Sequence, residues 1–144
     1  MPKPKLIFVN LPVTDLDRSV AFYEAIGARK DSRFSDATAA AMVLSETIHV
    51  MLLTRDKYRQ FTAKEIADAH KTSAALICVS EESHAGVDAT VGKAVEAGAR
   101  ETRPAQDYGF MYGRSFDDPD GHGWEVMWMD LDAFMKATGQ SAAA

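Results

Sequence analysis

Glu24-Ala25-Ile26-Gly27-Ala28-Arg29 returns, shortened by one residue, as Glu96-Ala97-Gly98-Ala99-Arg100. In both places the segment closes a helical pattern that itself follows a strand-like run, so the chain reads as two copies of one unit. Outward from the first copy, residues 6–13 predict a strand, and Thr14 with Asp17 offers a Ser/Thr-x-x-acid helix start. Leu16, Val20 and Tyr23 recur at helical spacing up to Gly27, where the helix stops, and mark the face that packs on a sheet. Strands near 29–35, 38–44 and 47–54 complete the order βαβββ. In the second copy a strand at 74–79 precedes a helix with Ser83 as N-cap and Val87, Val91 and Ala94 or Val95 on its buried face. Strands near 100–106, 110–116 and 123–129 follow.

One such unit buries a single face of its curled sheet against its own helix. Two units can set their free faces around a shared cavity, the natural place for a ligand. The sequence thus predicts an α+β fold in which two βαβββ repeats form a curled mixed sheet around a cavity. It predicts a single domain over 1–144, with repeat one at 5–54, a linker at 55–72, repeat two at 73–130 and a C-terminal tail at 131–144. The charged linker contains a helix-compatible stretch at 63–69, so it is expected to form one or two helical turns, or a lid.

With 144 residues, 47% hydrophobic and 26% charged, the chain can bury a substantial core without disulfides or a structural metal. Its single cysteine, Cys78, falls in the apolar run Ala74-Ala75-Leu76-Ile77-Cys78-Val79 and reads as a small packed hydrophobe rather than a nucleophile. No apolar run approaches the roughly 20 residues of a membrane span, and the lysine-containing N-terminus lacks a signal-peptide core. A cytoplasmic protein with no membrane partner is expected. A formal charge of -5 without a Lys/Arg cluster argues against a nucleic-acid partner.

Asp118-Pro119-Asp120-Gly121 has turn chemistry, and Trp124 to Met129 then reads as a strand that places Glu125 among bulky apolar residues. Gly121-x-Gly123 opens a strand, not a helix, so it does not read as a nucleotide loop. Together with Leu11-Pro12-Val13-Thr14-Asp15-Leu16-Asp17-Arg18-Ser19 near the start, Asp-Pro-Asp-Gly-x-x-x-Glu resembles the vicinal oxygen chelate superfamily of glyoxalases, bleomycin-resistance proteins and extradiol dioxygenases. The resemblance spans roughly residues 5 to 130. Tyr112-Gly113-Arg114-Ser115-Phe116 and Trp124-Glu125-Val126-Met127-Trp128 are similar to the lactoylglutathione lyase-like branch.

The resemblance implies a homodimer and four metal-ligand positions, one on the first and one on the last strand of each copy. Here they fall at Phe8, Met51, Ala74 and Glu125, and only Glu125 is a competent ligand for a hard divalent ion. No metal or other cofactor is therefore expected. The alternative is a divalent-metal site rebuilt from Asn10, His49 and Glu125, which a shift of two residues along the strands would bring together.

Glu125 is the candidate catalytic residue, as a base raised in pKa by burial or as a ligand. The other reading pairs it quietly with Arg114 or Tyr112. Asn10, His49, Met51, Tyr112 and Arg114 complete the expected ligand-binding set, while His70, His84 and His122 are expected to face solvent. The leading function is binding of a small molecule between the repeats without the usual metal. The alternative is a metal-dependent lyase, lactoylglutathione lyase-like, or a dioxygenase, and a third possibility is a dimeric interaction module with a vestigial cavity.

Overall fold

Helix α1 (Leu16–Ala25) lies between β1 (Ile7–Val13) and the short β2 (Arg29–Asp31), which β3 (Ala39–Val43) and β4 (Ile48–Thr54) follow. The same order returns as β5 (Leu76–Ser80), α3 (His84–Glu96), β6 (Arg100–Asp107), β7 (Met111–Asp117) and β8 (Gly123–Met129). A one-turn helix α2 (Arg55–Tyr58) and a terminal helix α4 (Leu131–Thr138) complete the chain. The computed structural model describes residues 1–139; the end of the expected tail, 140–144, lies outside the described residues.

The chain forms two compact units, one of residues 1–72 with Pro119–His122, the other of residues 73–118 with the chain from Gly123 onward. Each holds a four-stranded mixed sheet, ordered β1-β4-β3-β2 in the first and β5-β8-β7-β6 in the second. In each, the first strand runs parallel to the last and the remaining pairs are antiparallel. The fold is α+β, built from two βαβββ modules.

The duplication extends to individual hydrogen bonds. Ala28 N donates to Tyr23 O at 2.9 Å after α1, and Ala99 N donates to Ala94 O at 2.9 Å after α3. Gly27 (φ 107°) and Gly98 (φ 112°) reverse the chain at these closures. Ser83 caps α3, accepting from Gly86 N at 2.9 Å. Val87, Val91 and Ala94 form the buried face of α3 while Val95 stays 43% exposed.

The start of α1 departs from the capping-box reading. Asp15 is the N-cap and accepts from Arg18 N at 3.0 Å, while the Thr14 amide and hydroxyl donate to Asp120 at 2.9 and 2.8 Å. The helix buries Ser19, Phe22 and Tyr23 and leaves Leu16 and Val20 half-buried. Phe22 and Tyr23 meet edge to face at 5.0 Å, and with Met42, Val50 and Leu52 they fill the first unit's core.

The linker also differs from expectation, since no helix forms over 63–69. Asp68 closes a turn instead, its carboxylate accepting from His70 N at 3.0 Å and its carbonyl from Lys71 and Thr72. The one helical turn of the linker is α2, capped by Thr54. β5 begins at Leu76, so Ala74 and Ala75 lie outside the strand.

Candidate functional site

Alternation along the strands sorts the candidates by face. On β1, Leu11 and Val13 are buried toward α1, which turns Phe8 and Asn10 to the face that carries no helix. On β4, Val50 and Leu52 are buried, so His49 and Met51 share the face of Phe8 and Asn10, and the register sets Phe8 opposite His49 and Asn10 opposite Met51. Phe8 stacks on His49 with ring centroids 4.7 Å apart and planes inclined by 18°. His49 Nε2 is buried and has no hydrogen-bond partner among the described residues. The Asn10 amide donates to Phe8 O at 3.5 Å. On β2, Asp31 is held by Arg33 at 2.8 and 3.0 Å, and that guanidinium lowers its carboxyl to about 2.

The second unit has a face of the same kind. Trp124 and Val126 of β8 are buried, which places Glu125, Met127 and Met129 on the opposite side. Cys78 of β5 and Ser115 of β7 flank Glu125 directly in the register. Among the described residues no cation is paired with the half-buried Glu125 carboxylate. Partial desolvation, and then the charge of Glu125, push the Cys78 thiol up. Cys78 is exposed, contrary to the packed hydrophobe expected from its apolar run. Ile77 and Val79 are its less exposed neighbours, and period-two alternation puts Cys78 on the other side.

Tyr112 and Arg114 do not join Glu125. The residue of β7 opposite Glu125 is Ser115, so Arg114, one step away, and Tyr112 point to the helix-covered side. There the Tyr112 hydroxyl donates to Asp88 Oδ1 at 2.6 Å, and Arg114 donates to Asp88 at 3.0 Å and to both Glu101 oxygens at 2.8 and 2.9 Å. Both residues border a surface hollow of about 450 Å³ beside Thr102 and Pro104 of β6. His84 is not simply solvated: its ring stacks on Tyr112 at 3.5 Å and its Nε2 lies 3.4 Å from Asp107. His122 Nε2 likewise lies 2.8 Å from Pro12 O. Asp88 and Glu101 were missed as partners of Arg114, because one lies on a helix and the other on a neighbouring strand.

Hydrogen bonds from Tyr112 to Asp88 and from Arg114 to Glu101 lower these two carboxyls below their ordinary values of 3.8 and 4.5. Such groups contribute their stability in full above the unfolded-state values and lose it as pH falls through the folded-state ones. Melting temperature is therefore expected to hold above about pH 4.5 and to fall on acidification, with Asp31 the last to protonate near 2. Arg114→Leu should lower the melting temperature at neutral pH and flatten the upper part of that acid decline. A variant whose acid profile matches the wild type would remove Arg114 from this account.

The inherited metal positions can be placed on the strands. Phe8 precedes the α1 cap Asp15 by as many residues as Leu76 precedes the α3 cap Ser83, so Leu76, not Ala74, is the second-copy counterpart of Phe8. A phenyl ring, a thioether at Met51 and an isobutyl group at Leu76 do not hold a hard divalent ion, which leaves Glu125 alone. Among the described residues no three His, Cys, Asp or Glu side chains are grouped to hold one. The residues present do not fit the metal.

No helix among the described residues is long and apolar enough to cross a membrane. No curated protein matches the chain. Among solved structures, a glyoxalase-related enzyme from Fulvimarina pelagi superposes with a TM-score of 0.75 at 18% identity, over 88% of this chain and 89% of that one. A glyoxylase/bleomycin resistance protein/dioxygenase domain from Frankia sp. EAN1pec gives 0.66 at 25% identity, over 89% and 93%. The fosfomycin resistance protein FosX from Mesorhizobium loti gives 0.66 at 18% identity, over 94% and 99%. The family model that describes the Glyoxalase/Bleomycin resistance protein/Dioxygenase superfamily matches residues 5–126, and the chain belongs to that superfamily.

Proposed function

We propose that the protein binds a small organic molecule on a helix-free sheet face, the candidates being the first unit's face with Asn10, His49 and Met51 and the second unit's face with Glu125, without the divalent ion of the metal-dependent members. The observation that carries this reading is the donor set: of the four positions Phe8, Met51, Leu76 and Glu125, one alone is a ligand for a hard ion. The faces are otherwise suited to an organic guest, with exposed Phe8 and Leu76, the thioethers of Met127 and Met129, and one carboxylate. Sequestration is one use of such a site. If the protein turns a substrate over, Glu125 is the base. We further propose a homodimer, the commonest symmetric assembly of a single chain.

A second reading, a metal-dependent lyase of the lactoylglutathione lyase-like branch or a dioxygenase, has the orphaned Nε2 of His49 in its favour. Metal analysis of untagged protein dialysed against Ni, Zn, Mn and Fe separates the two. The expected result is no retained stoichiometric metal, together with a rise in melting temperature in part of a panel of metabolites and antibiotics. About one tightly held ion per chain would transfer the case to the second reading.

A further inference from the structure

We infer that the helix-free face of the second unit holds a soft monovalent cation of the Cu(I) class among the thioethers of Met111, Met127 and Met129. The site goes beyond the small-molecule reading and uses none of the hard-ion positions. β7 and β8 are antiparallel, with Met111 directly opposite Met129 and Gly113 opposite Met127. Tyr112 of β7 and Val126 of β8 are buried on the helix-covered side, so alternation gathers Met111, Gly113, Met127 and Met129 on the other. Three of the chain's seven methionines thus meet there, all half-buried. Cβ atoms opposed on such a strand pair lie about 5 Å apart and diagonal ones roughly 7–8 Å, spans that flexible thioethers close around one ion.

The middle of the group is open, because Gly113 projects no side chain beside Met127. A Cβ built on Gly113 would lie 4.0 Å from Met127 Cβ and 3.7 Å from Val126 O, both ordinary contacts. Backbone crowding therefore does not require glycine here, whereas space among three sulfurs does. Thioether sulfur is a soft donor that selects Cu(I) and is poorly suited to the hard divalent ions of the inherited positions. Glu125, two residues before Met127 on the same face, adds the negative charge that draws in a cation. Cys78 stands opposite Glu125 on β5, across β8 from Gly113, and is not one of the three donors.

The test is made in full-length Cys78→Ser protein, because the chain's one thiol would bind a soft ion by itself. Cys78→Ala is the second background should serine fail to fold. Silver nitrate, a redox-inert probe for Cu(I), is titrated in chloride-free buffer into protein with 13C-labelled methionine methyls. One equivalent should shift the signals of Met111, Met127 and Met129, and leave Met51 and the core residue Met42 unmoved. Competition with bicinchoninate then measures Cu(I) affinity, which Met111→Leu and Met127→Leu should each weaken about tenfold. Leucine keeps the volume and apolar surface and removes only the sulfur, so these variants separate ion binding from an apolar contact. Gly113→Val should weaken binding likewise with every sulfur in place. The melting temperature of each ion-free variant shows whether it has folded. No binding in the Cys78 variants, equal shifts at Met1 and Met51, or folded leucine variants with unchanged affinity overturn the inference. The small-molecule reading stands or falls separately, on the metabolite panel.

Discussion

Asp120→Ala is expected to lower the unfolding free energy by about 3 kcal/mol, and Asp120→Asn by roughly half as much. Asp120 is 8% exposed, and its carboxylate works as a fixed acceptor for the start of α1. Its Oδ1 accepts from the Thr14 amide at 2.9 Å and from the Thr14 hydroxyl at 2.8 Å, and its Oδ2 accepts from Ser19 Oγ at 3.2 Å. Arg18 lies 3.5 Å away and adds charge. Alanine would leave the buried Ser19 hydroxyl and the Thr14 donors without this acceptor, whereas asparagine keeps one carbonyl oxygen for Thr14. The change should appear as a lower urea midpoint with an unchanged slope, and as a fall in Tm on the order of 10 °C for the alanine variant. A loss below about 1 kcal/mol would mean that solvent replaces the carboxylate freely.

Gly121→Ala should cost about 3–5 kcal/mol, the sum of backbone strain and overpacking. The residue sits at φ 90°, and a Cβ built there would lie 2.7 Å from His70 N and 2.8 Å from the Ala69 carbonyl carbon. Both are backbone atoms of the turn that Asp68 closes, so relief requires that turn to move. Gly27→Ala is the control, because its φ of 107° is equally demanding but nothing lies within 4 Å of the added methyl. That variant should lose only the conformational part, about 1 kcal/mol. Equal losses at the two positions would show that the close approach at His70 contributes nothing.

The order βαβββ was legible twice because each element carries its own local signal. Alternation marks the strands, spacing such as Val87, Val91 and Ala94 marks the helices, and Gly27 and Gly98 mark their ends. What escaped was decided at long range or by the parity of one residue. Thr14 reads as the helix cap, yet Asp15 caps the helix and Thr14 donates to Asp120, 106 residues away. Arg114 and Glu125 look like partners on adjoining strands, yet the register sets Ser115 against Glu125 and sends Arg114 to the other side. Cys78 looks buried because its run is apolar, but on a strand with a single helix-covered face an apolar run does not bury every member. Of the candidate site, Asn10, His49 and Met51 were legible as sharers of one face, since residues two apart on a strand point the same way.

Pro119–His122 belongs with the first unit although it is encoded well past the start of the second. During vectorial synthesis the N-terminal half emerges long before its own acceptor for Thr14 and Ser19 has been made. Completion of that half is therefore a late, high-contact-order event rather than an early one. A fragment ending at residue 72 would expose the donors that Asp120 satisfies, and adding a peptide that contains the 118–122 turn should protect them from hydrogen exchange. For anyone splitting or permuting this chain, the economical cut is not the midpoint that the repeat suggests.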